Sequence, residues 1–316
     1  MSNPFPNTFI IGVQKAGTTT LDDWLAQHLQ IYCYESLKDI HLFARFKSMP
    51  EIEDRLKKEP AVYQGEPVVL QSAVNYIFYP HLPASIAQYA PDAKLIVILR
   101  DPVERAISSY FYFKKMLRET RGIQQALLYQ PKENITEFSK DNSDFTYIEH
   151  GFYARQIKNC LQYFSKEQLL VLDYDELANN AASLLQNTFS FLHIDASFKP
   201  DLTPKNVTGS VKNQYLQQKM IHRGKLRKWL IDNIIDPIFP VGKRKMLKRK
   251  LFEMNTAQKK ISQPQQQEES KETIEQIKQQ LKQYFIEDIN ELDALLGTKF
   301  SEKWLAANYS NSAASK

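Results

Sequence analysis

The fold is decided by the stretch Phe9-Ile10-Ile11-Gly12-Val13-Gln14-Lys15-Ala16-Gly17-Thr18-Thr19-Thr20-Leu21. Its first five residues form an apolar run that predicts a buried strand. Gly12 and Gly17 bracket a loop in which the backbone can turn sharply. The three threonines predict N-cap hydroxyls at the start of a helix. Such a loop directs backbone N–H groups and the positive end of the helix at one point, so the stretch predicts an anion site, most often for phosphate.

The lysine of this loop is not where a nucleoside triphosphate loop has it. In G-x-x-x-x-G-K-[ST] the lysine follows the second glycine directly. Here Thr18 occupies that position, and Lys15 lies inside the loop. The ammonium is therefore expected on the other side of the phosphate, unless the stretch is an ordinary turn with a solvated lysine. The residues predicted to hold the anion are Lys15, Ala16, Gly17, Thr18, Thr19 and Thr20.

The composition narrows the class of protein. The chain has 316 residues and 43% hydrophobic residues, enough for a sizeable core. A net charge of +5 favours anionic ligands without requiring nucleic acid, and no nucleic-acid partner is predicted. Cys33 and Cys160 lie far apart without metal-ligand spacing, which favours a reducing compartment. Neither a signal peptide nor an apolar run of transmembrane length is evident, so a cytoplasmic protein is the expectation.

Apolar runs alternate with helical patterns along the chain. This order predicts an α/β fold of three layers, P-loop-like, with a central parallel sheet flanked by helices and a helical C-terminal extension. The predicted strands cover residues 9–13, 31–34, 68–70, 94–99 and 168–172. The predicted helices begin at Thr18 and cover 51–58, 80–89, 103–117, 152–164, 176–192 and 272–296. We interpret residues 6–306 as one domain with a core over 6–195, a lid and C-terminal helices over 205–306, and a disordered tail over 307–316.

A basic segment follows the core. Residues 222–260 hold twelve lysines and arginines against three acidic residues, with an apolar stretch between the basic runs. We interpret residues 222–250 as a helical lid with a basic face around an anionic ligand. Peripheral contact with an anionic membrane surface is the alternative. The Gln-rich residues 258–270 read as an exposed linker.

A second anion site is predicted at the end of the strand over 94–99. Arg100 follows this strand directly, and Ser108 lies one to two turns into the next helix. A guanidinium and a hydroxyl together suit a phosphomonoester. Since ligands of parallel sheets bind at the carboxyl ends of the strands, the two sites would suit a nucleotide with phosphates at both ends of its ribose.

These motifs resemble the sulfotransferases that use 3′-phosphoadenylyl sulfate (PAPS). The 9–21 stretch is similar to their 5′-phosphosulfate loop, and 95–110 to their 3′-phosphate motif. Lys38-Asp39-Ile40-His41-Leu42-Phe43 resembles the K-E-x-H-F-F segment of the heparan-sulfate-type and bacterial branch. Residues 206–213 resemble a late loop that closes over the cofactor. Gln71–Tyr76 is similar to the branch's E-x-T-P-x-Y, with Gln71 in place of Glu, Ala73 in place of Thr and Val74 in place of Pro.

The resemblance implies a mechanism. Lys15 would stabilise charge on the leaving phosphate, and Arg100 with Ser108 would hold the 3′-phosphate, with Tyr153 and Lys212 as further contacts. Asp39, at the position of the branch's glutamate, or His41 would take the proton of the acceptor. PAPS is the expected co-substrate and PAP the product, with no metal. The expected acceptor is a hydroxylated molecule, glycan or lipid-linked.

Two other functions remain open from the sequence. A P-loop kinase of small molecules would require a lysine after Gly17 and a metal-binding aspartate at a strand end, for which Asp101 is the candidate. A non-catalytic nucleotide-binding protein of the same fold is consistent with the departures at Gln71, Ala73 and Val74.

Overall fold

The computed structural model describes residues 4–34, 37–46, 48–59, 62–129, 144–203, 210–211, 256–257 and 270–306. A single parallel sheet forms its centre, with strand order β2-β3-β1-β4-β5. The strands are β1 (Thr8–Gly12), β2 (Ile31–Cys33), β3 (Val68–Ser72), β4 (Lys94–Leu99) and β5 (Leu169–Asp173). The predicted α/β fold with a central parallel sheet is confirmed.

The two central strands are buried because helices cover both of their faces. Every residue of β1 is buried, and so are the five residues Leu95 to Leu99 of β4. This is the continuous apolar pattern that parallel sheets favour. Beyond the last residue of β1, the N–H of Val13 still donates to the carbonyl of Ile98 at 3.0 Å. The start of the 13–17 loop is therefore attached to the sheet.

The strand order places the switch in winding direction between β1 and β4. The chain runs from β1 to β2 and β3 on one side of the sheet, and then crosses to β4 and β5 on the other. A crevice forms at such a point, outside the carboxyl ends of the strands. The 13–17 loop follows β1 and Arg100 follows β4, so the two predicted anion sites meet at this crevice.

Eleven α-helices occur among the described residues. They are α1 (Thr18–Leu25), α2 (Leu42–Arg45), α3 (Met49–Leu56), α4 (Leu82–Tyr89), α5 (Pro102–Lys115), α6 (Ile123–Leu128), α7 (Tyr153–Cys160), α8 (Tyr174–Asn179), α9 (Ala181–Leu192), α10 (Lys271–Leu296) and α11 (Phe300–Trp304). Two short 3-10 helices cover Glu149–Gly151 and Lys166–Gln168. The long helix α10 buries Ile277, Leu281, Phe285, Ile289 and Leu292 at helical spacing and packs on α5, α6 and α7.

The structure corrects the sequence prediction in several places, and the helix predicted over 152–164 ends at Cys160. The predicted helix over 176–192 is two helices, because Asn180 has a φ of −142° that interrupts α8 and α9. Strand β3 is two residues longer than predicted and includes Gln71 and Ser72. Helix α2 was not predicted, since four residues are too few for a periodic pattern.

Several predictions fall outside the described residues. These are Lys212, the basic segment 222–250, residues 258–269 of the linker and the tail over 307–316. Of the late loop, only Ser210–Val211 is described, where it forms β6 and pairs antiparallel with β7 (Thr256–Ala257). The domain boundaries also stay a prediction. In the described part of the chain, no helix is both long and apolar enough to span a bilayer.

Candidate active site

The 13–17 loop ends at the N-terminus of α1. Gly17 is the N-cap residue of α1 with a φ of +85°, and a Cβ added there would lie 2.5 Å from Cδ2 of Leu177. Both the backbone angle and the space require glycine. No side chain caps this end of α1, so the prediction that the threonines supply cap hydroxyls was wrong. The first N–H groups of a helix have no intrahelical partners, and here they are left for an anion.

Lys15 is held in a backbone conformation that is uncommon for its type. Its φ is 71°, and its ammonium lies 3.9 Å from the centre of the Tyr112 ring. Burial, together with the positive charges of Arg100 and Lys115, lowers the pKa of Lys15 to about 8. Three cations next to an uncapped helix N-terminus form an electropositive site that favours a polyanion.

Arg100 joins the two predicted anion sites. Its Nη1 donates to the carbonyl oxygen of Lys15 at 3.2 Å, and its guanidinium lies 4.5 Å from the centre of the Tyr174 ring. The hydroxyl of Tyr153 donates to the carbonyl oxygen of Arg100 at 2.8 Å. The structure thus brings Lys15 and Arg100 together at one edge of the sheet. Sequence reasoning missed Tyr174, which lies directly after β5.

Tyr153 is fully buried, and its described contacts lie inside the protein. Its ring packs against Trp304 of α11, with the ring centres 6.1 Å apart. The carboxylate of Asp288 on α10 accepts from the N–H of Ala154 at 3.0 Å and so caps α7. Through Tyr153, the C-terminal helices support the backbone of Arg100. A direct contact between Tyr153 and a cofactor stays a prediction.

Ser108 and Ser109 on α5 lie in different environments. Ser108 is half-buried, whereas Ser109 is buried and donates to Oε1 of Gln14 at 3.1 Å. Ser109 therefore ties α5 to the 13–17 loop. No sequence pattern indicates the contact between Ser109 and Gln14, because this contact depends on the packing of α5 against the loop. Binding of an anion by Ser108 stays a prediction.

Asp39 lies on the 37–40 loop, which is fixed at several points. Asp39 has a φ of 60°, and its N–H donates to the carbonyl of Ser72 at 2.9 Å. The neighbouring Lys38 pairs with Asp22 at 2.5 Å and with Asp23 at 2.7 Å, both on α1. Non-glycine residues in this conformation are enriched at functional sites. The loop that presents Asp39 is thus clamped to both α1 and β3.

The side chain of Gln71 completes this clamp. Its amide nitrogen donates to the carbonyl oxygens of Leu37 at 3.1 Å, Ile40 at 2.9 Å and Ser72 at 3.2 Å. All three acceptors are carbonyl oxygens, so only a donor fits at this position. The residue is 2% exposed. Glutamate, which the resembling branch has here, could not make these bonds while ionised.

Changing Gln71 to Glu is expected to destabilise the protein in a pH-dependent way. A buried carboxylate next to carbonyl oxygens has a raised pKa, so its neutral form is tolerated at low pH and the stability is lost as pH rises through that pKa. Melting temperatures of Gln71→Glu at pH 5 and pH 8 test this, and the deficit should be larger at pH 8. Gln71→Met loses the same bonds without adding charge, at a cost of about 1–3 kcal/mol, and its deficit should not depend on pH. Wild-type stability of Gln71→Glu at pH 8 would contradict the assigned hydrogen bonds.

His41 lies two residues beyond Asp39 and is buried at the N-terminus of α2. Its ring packs edge-on against Tyr76, with the ring centres 5.5 Å apart. The hydroxyl of Tyr76 in turn accepts from the N–H of Leu42 at 2.9 Å. The imidazole is therefore set in an aromatic environment, while Asp39 is held by its backbone. The choice of base between the two stays a prediction.

Tyr112 links the Lys15 region to the Asp39 region. Its ring lies beneath the Lys15 ammonium, and burial together with the negative charges of Asp144 and Asp39 raises the pKa of its hydroxyl. Sequence reasoning did not select Tyr112, since an aromatic residue on a helix is ordinarily a packing residue. Among the described residues, no group of three His, Cys, Asp or Glu side chains is arranged to hold a metal ion.

The sheet, the loop and the clustered cations define an α/β protein with an electropositive loop at the point where the winding direction of the sheet switches. The sulfotransferase domain family matches this chain over residues 5–302, so the chain belongs to that family. A crystal structure of a sulfotransferase from Alicyclobacillus acidocaldarius matches with a TM-score of 0.66 at 22% identity. The match covers 96% of this chain and 99% of that one, and it shows that the two share a fold.

Curated relatives point to the same family. Heparan sulfate glucosamine 3-O-sulfotransferase 3A1 of Mus musculus is 26% identical over 193 residues, which cover 60% of this chain and 46% of the relative. Carbohydrate sulfotransferase 15 of Mus musculus is 25% identical over 246 residues, with 60% of this chain and 44% of the relative covered. This chain thus spans about half the length of the curated relatives it matches.

Proposed function

We propose that this protein transfers a sulfuryl group from PAPS to a hydroxyl or amine of an acceptor and releases PAP. The observation that carries the proposal is the convergence of Lys15 and Arg100 at the uncapped N-terminus of α1. Arg100 donates to the backbone of Lys15, and its charge helps to lower the pKa of Lys15. Family membership supports the chemistry. The names of the curated relatives support a carbohydrate as the acceptor, with a lipid or small metabolite as alternatives.

The residues at the site fit such a donor. PAPS, when bound, supplies the sulfuryl group as one half of a phosphosulfate anhydride. Three features suit its phosphates: a glycine at which an added Cβ would clash, the uncapped N-terminus of α1, and a guanidinium at the end of the next strand. We assign the 5′-phosphate to the N–H groups of residues 17–19, because the N–H of Ala16 donates to the carbonyl oxygen of Val13 at 3.3 Å. We assign the 3′-phosphate to Arg100 and Ser108.

The residues of this chain would act mainly by charge and position. Lys15 would stabilise the negative charge that develops on the leaving phosphate, as cations do in loose phosphoryl transfer. The carboxylate of Asp39 would accept the proton of the acceptor hydroxyl while the new oxygen–sulfur bond forms. Lys38 and Gln71 would hold the loop that carries Asp39. The Lys15 ammonium lies against the Tyr112 ring, and the charge of Asp39 acts on the hydroxyl of the same residue.

A P-loop kinase is the second candidate function. Thr18 stands where such a kinase has its lysine, and Asp101, the candidate metal ligand, uses its carboxylate to accept from the N–H groups of Val103 and Glu104 at the start of α5. Both features favour the sulfotransferase. Thermal-shift titrations separate the two functions. PAP should stabilise the protein in EDTA, whereas a kinase would be stabilised by ATP with Mg²⁺ instead.

Arg100 should give the protein a preference for PAP over AMP. A charge-assisted bond to a second phosphate is worth about 1.5–3 kcal/mol, so we expect PAP to bind ~10- to 100-fold more tightly than AMP. Arg100→Ala should remove most of this preference. Calorimetric titration of both nucleotides into the wild type and the variant measures it.

The matched control is Arg155→Ala, because Arg155 is an exposed arginine on α7 that pairs with Glu149 at 2.8 Å. This variant should keep the full preference. Equal affinity of the wild type for PAP and AMP would contradict the second anion site. An equal loss of PAP and AMP binding in Arg100→Ala would mean that Arg100 serves the 5′-phosphate.

The basic segment 222–250 lies outside the described residues. We keep the proposal that it forms a lid over the anionic cofactor, with contact to an anionic membrane surface as the alternative. The cytoplasm remains the proposed location. A lid of this charge would add cations to the site that Lys15 and Arg100 already form.

A further inference from the structure

We propose that the ring of Tyr112 holds the Lys15 ammonium in place and keeps it protonated, so that Tyr112 is a positioning residue for the catalytic lysine. The cation–π contact between Lys15 and Tyr112 is a feature of the structure and does not depend on the proposed function. Only its consequence for sulfuryl transfer rests on the proposed function.

The first observation is the position of the ammonium over the ring. Nζ of Lys15 lies 3.9 Å from the centroid of Tyr112, well inside the range of cation–π contacts. Such contacts are stronger where the cation is partly withdrawn from water, and Lys15 is half-buried. The ring also carries no formal charge at neutral pH, so it can hold the ammonium without neutralising the anion site.

The second observation is that one face of α5 holds two consecutive residues of the 13–17 loop. Ser109 and Tyr112 are three residues apart and therefore share a face of α5. Ser109 bonds to the side chain of Gln14 at 3.1 Å, and Tyr112 contacts the side chain of Lys15. The loop is thus fitted to α5 by a matched pair of contacts, one polar and one cation–π.

The third observation is the charge around Lys15. Arg100 at the end of β4 and Lys115 on α5 both disfavour its charged form, as does burial. The negative charges of Asp144 and Asp39, like burial, raise the pKa of the Tyr112 hydroxyl, which therefore stays protonated at neutral pH. The π face of Tyr112 opposes these effects, because it favours the ammonium over the neutral amine.

The test compares Tyr112→Leu, which removes the ring, with Tyr112→Phe, which keeps the ring and removes the hydroxyl. The pKa of Lys15 is measured in the ligand-free protein by competitive labelling with acetic anhydride over pH 6 to 11, followed by mass spectrometry. Lys57, the C-cap residue of α3, is exposed and serves as the internal control. We expect Tyr112→Phe to leave the pKa of Lys15 unchanged and Tyr112→Leu to lower it by about 0.5. PAP affinity should fall earlier on the alkaline side in Tyr112→Leu.

An unchanged pKa of Lys15 in a folded Tyr112→Leu variant would overturn the proposal, and so would equal shifts in both variants. If Tyr112→Leu does not fold, Tyr112→Met, which fills similar space without a ring, takes its place and carries the same expectation. The labelling needs no nucleotide. Its result therefore tests the role of Tyr112 alone. Failure of the wild type to bind PAP would instead contradict the proposed function.

Discussion

Replacing Lys15 with alanine should lower the rate of sulfuryl transfer by a factor of ~10²–10³. The removal of one preorganised electrostatic contact in a transition state costs about 2.7–4 kcal/mol, which corresponds to this factor. Lys15 is placed for such a contact, because it lies in the loop beside the uncapped N-terminus of α1. The measurement is turnover of labelled PAPS by wild type and Lys15→Ala. Near wild-type turnover in the variant would contradict the assigned role.

The same substitution should not weaken the fold. The pKa of Lys15 in the folded protein is about 8, below its ordinary value of 10.5, so the charged lysine costs stability below pH 8. Without ligand at pH 7, Lys15→Ala is therefore expected to melt at the wild-type temperature or above. The wild type should regain stability relative to the variant as pH rises from 8 to 10.5. Lys57→Ala, which changes the exposed C-cap lysine of α3, is the control and should change neither turnover nor this pH dependence.

Asp39→Asn should lower turnover by ~10²–10⁴ and leave PAP affinity nearly unchanged. The substitution keeps the shape of the side chain and tolerates the left-handed backbone at φ 60°, while it removes the base. A large loss in kcat with little loss in nucleotide binding indicates that the variant has lost a base. A variant that has lost its fold would lose nucleotide binding as well. Titration of PAP into both proteins, together with turnover at saturating PAPS, measures it.

His41 provides the comparison for Asp39. His41→Ala removes a buried ring that packs against Tyr76, so its melting temperature and PAP affinity must be measured beside its turnover. We expect a folded His41→Ala to retain more activity than Asp39→Asn. An active Asp39→Asn together with a folded but inactive His41→Ala would assign the base to His41.

Much of the fold follows from local patterns in the sequence. Strands β1 and β4 are continuous apolar runs, and α10 has a clear helical period, so these elements were predicted within one residue of their bounds. The positions at which helices end were predicted less accurately. Asn180 interrupts a run that reads as one helix, because the helical pattern on either side of it continues in phase.

The site residues that belong to a sequence motif could be predicted. Arg100 follows β4 directly and Lys15 lies in the loop that follows β1, and the structure brings them into contact. Residues that act through packing could not be found in this way. Gln71 looked like a departure from the family pattern, yet its amide donates to the carbonyl oxygens of Leu37 and Ile40 on the 37–40 loop, and to that of the neighbouring Ser72. The contact between Tyr112 and Lys15 likewise depends on how α5 meets the 13–17 loop.

Transfer of label from ³⁵S-labelled PAPS in EDTA tests the proposed sulfotransferase activity most directly. Wild type and Lys15→Ala are incubated with a panel of unsulfated glycans and hydroxylated small molecules, and labelled acceptor and PAP are both quantified. We predict that the wild type forms PAP and labelled acceptor in equal amounts, and that Lys15→Ala forms both ~10²–10³-fold more slowly. Binding of PAP by the wild type without labelling of any acceptor in the panel would contradict the claim, and would favour a nucleotide-binding protein of the same fold.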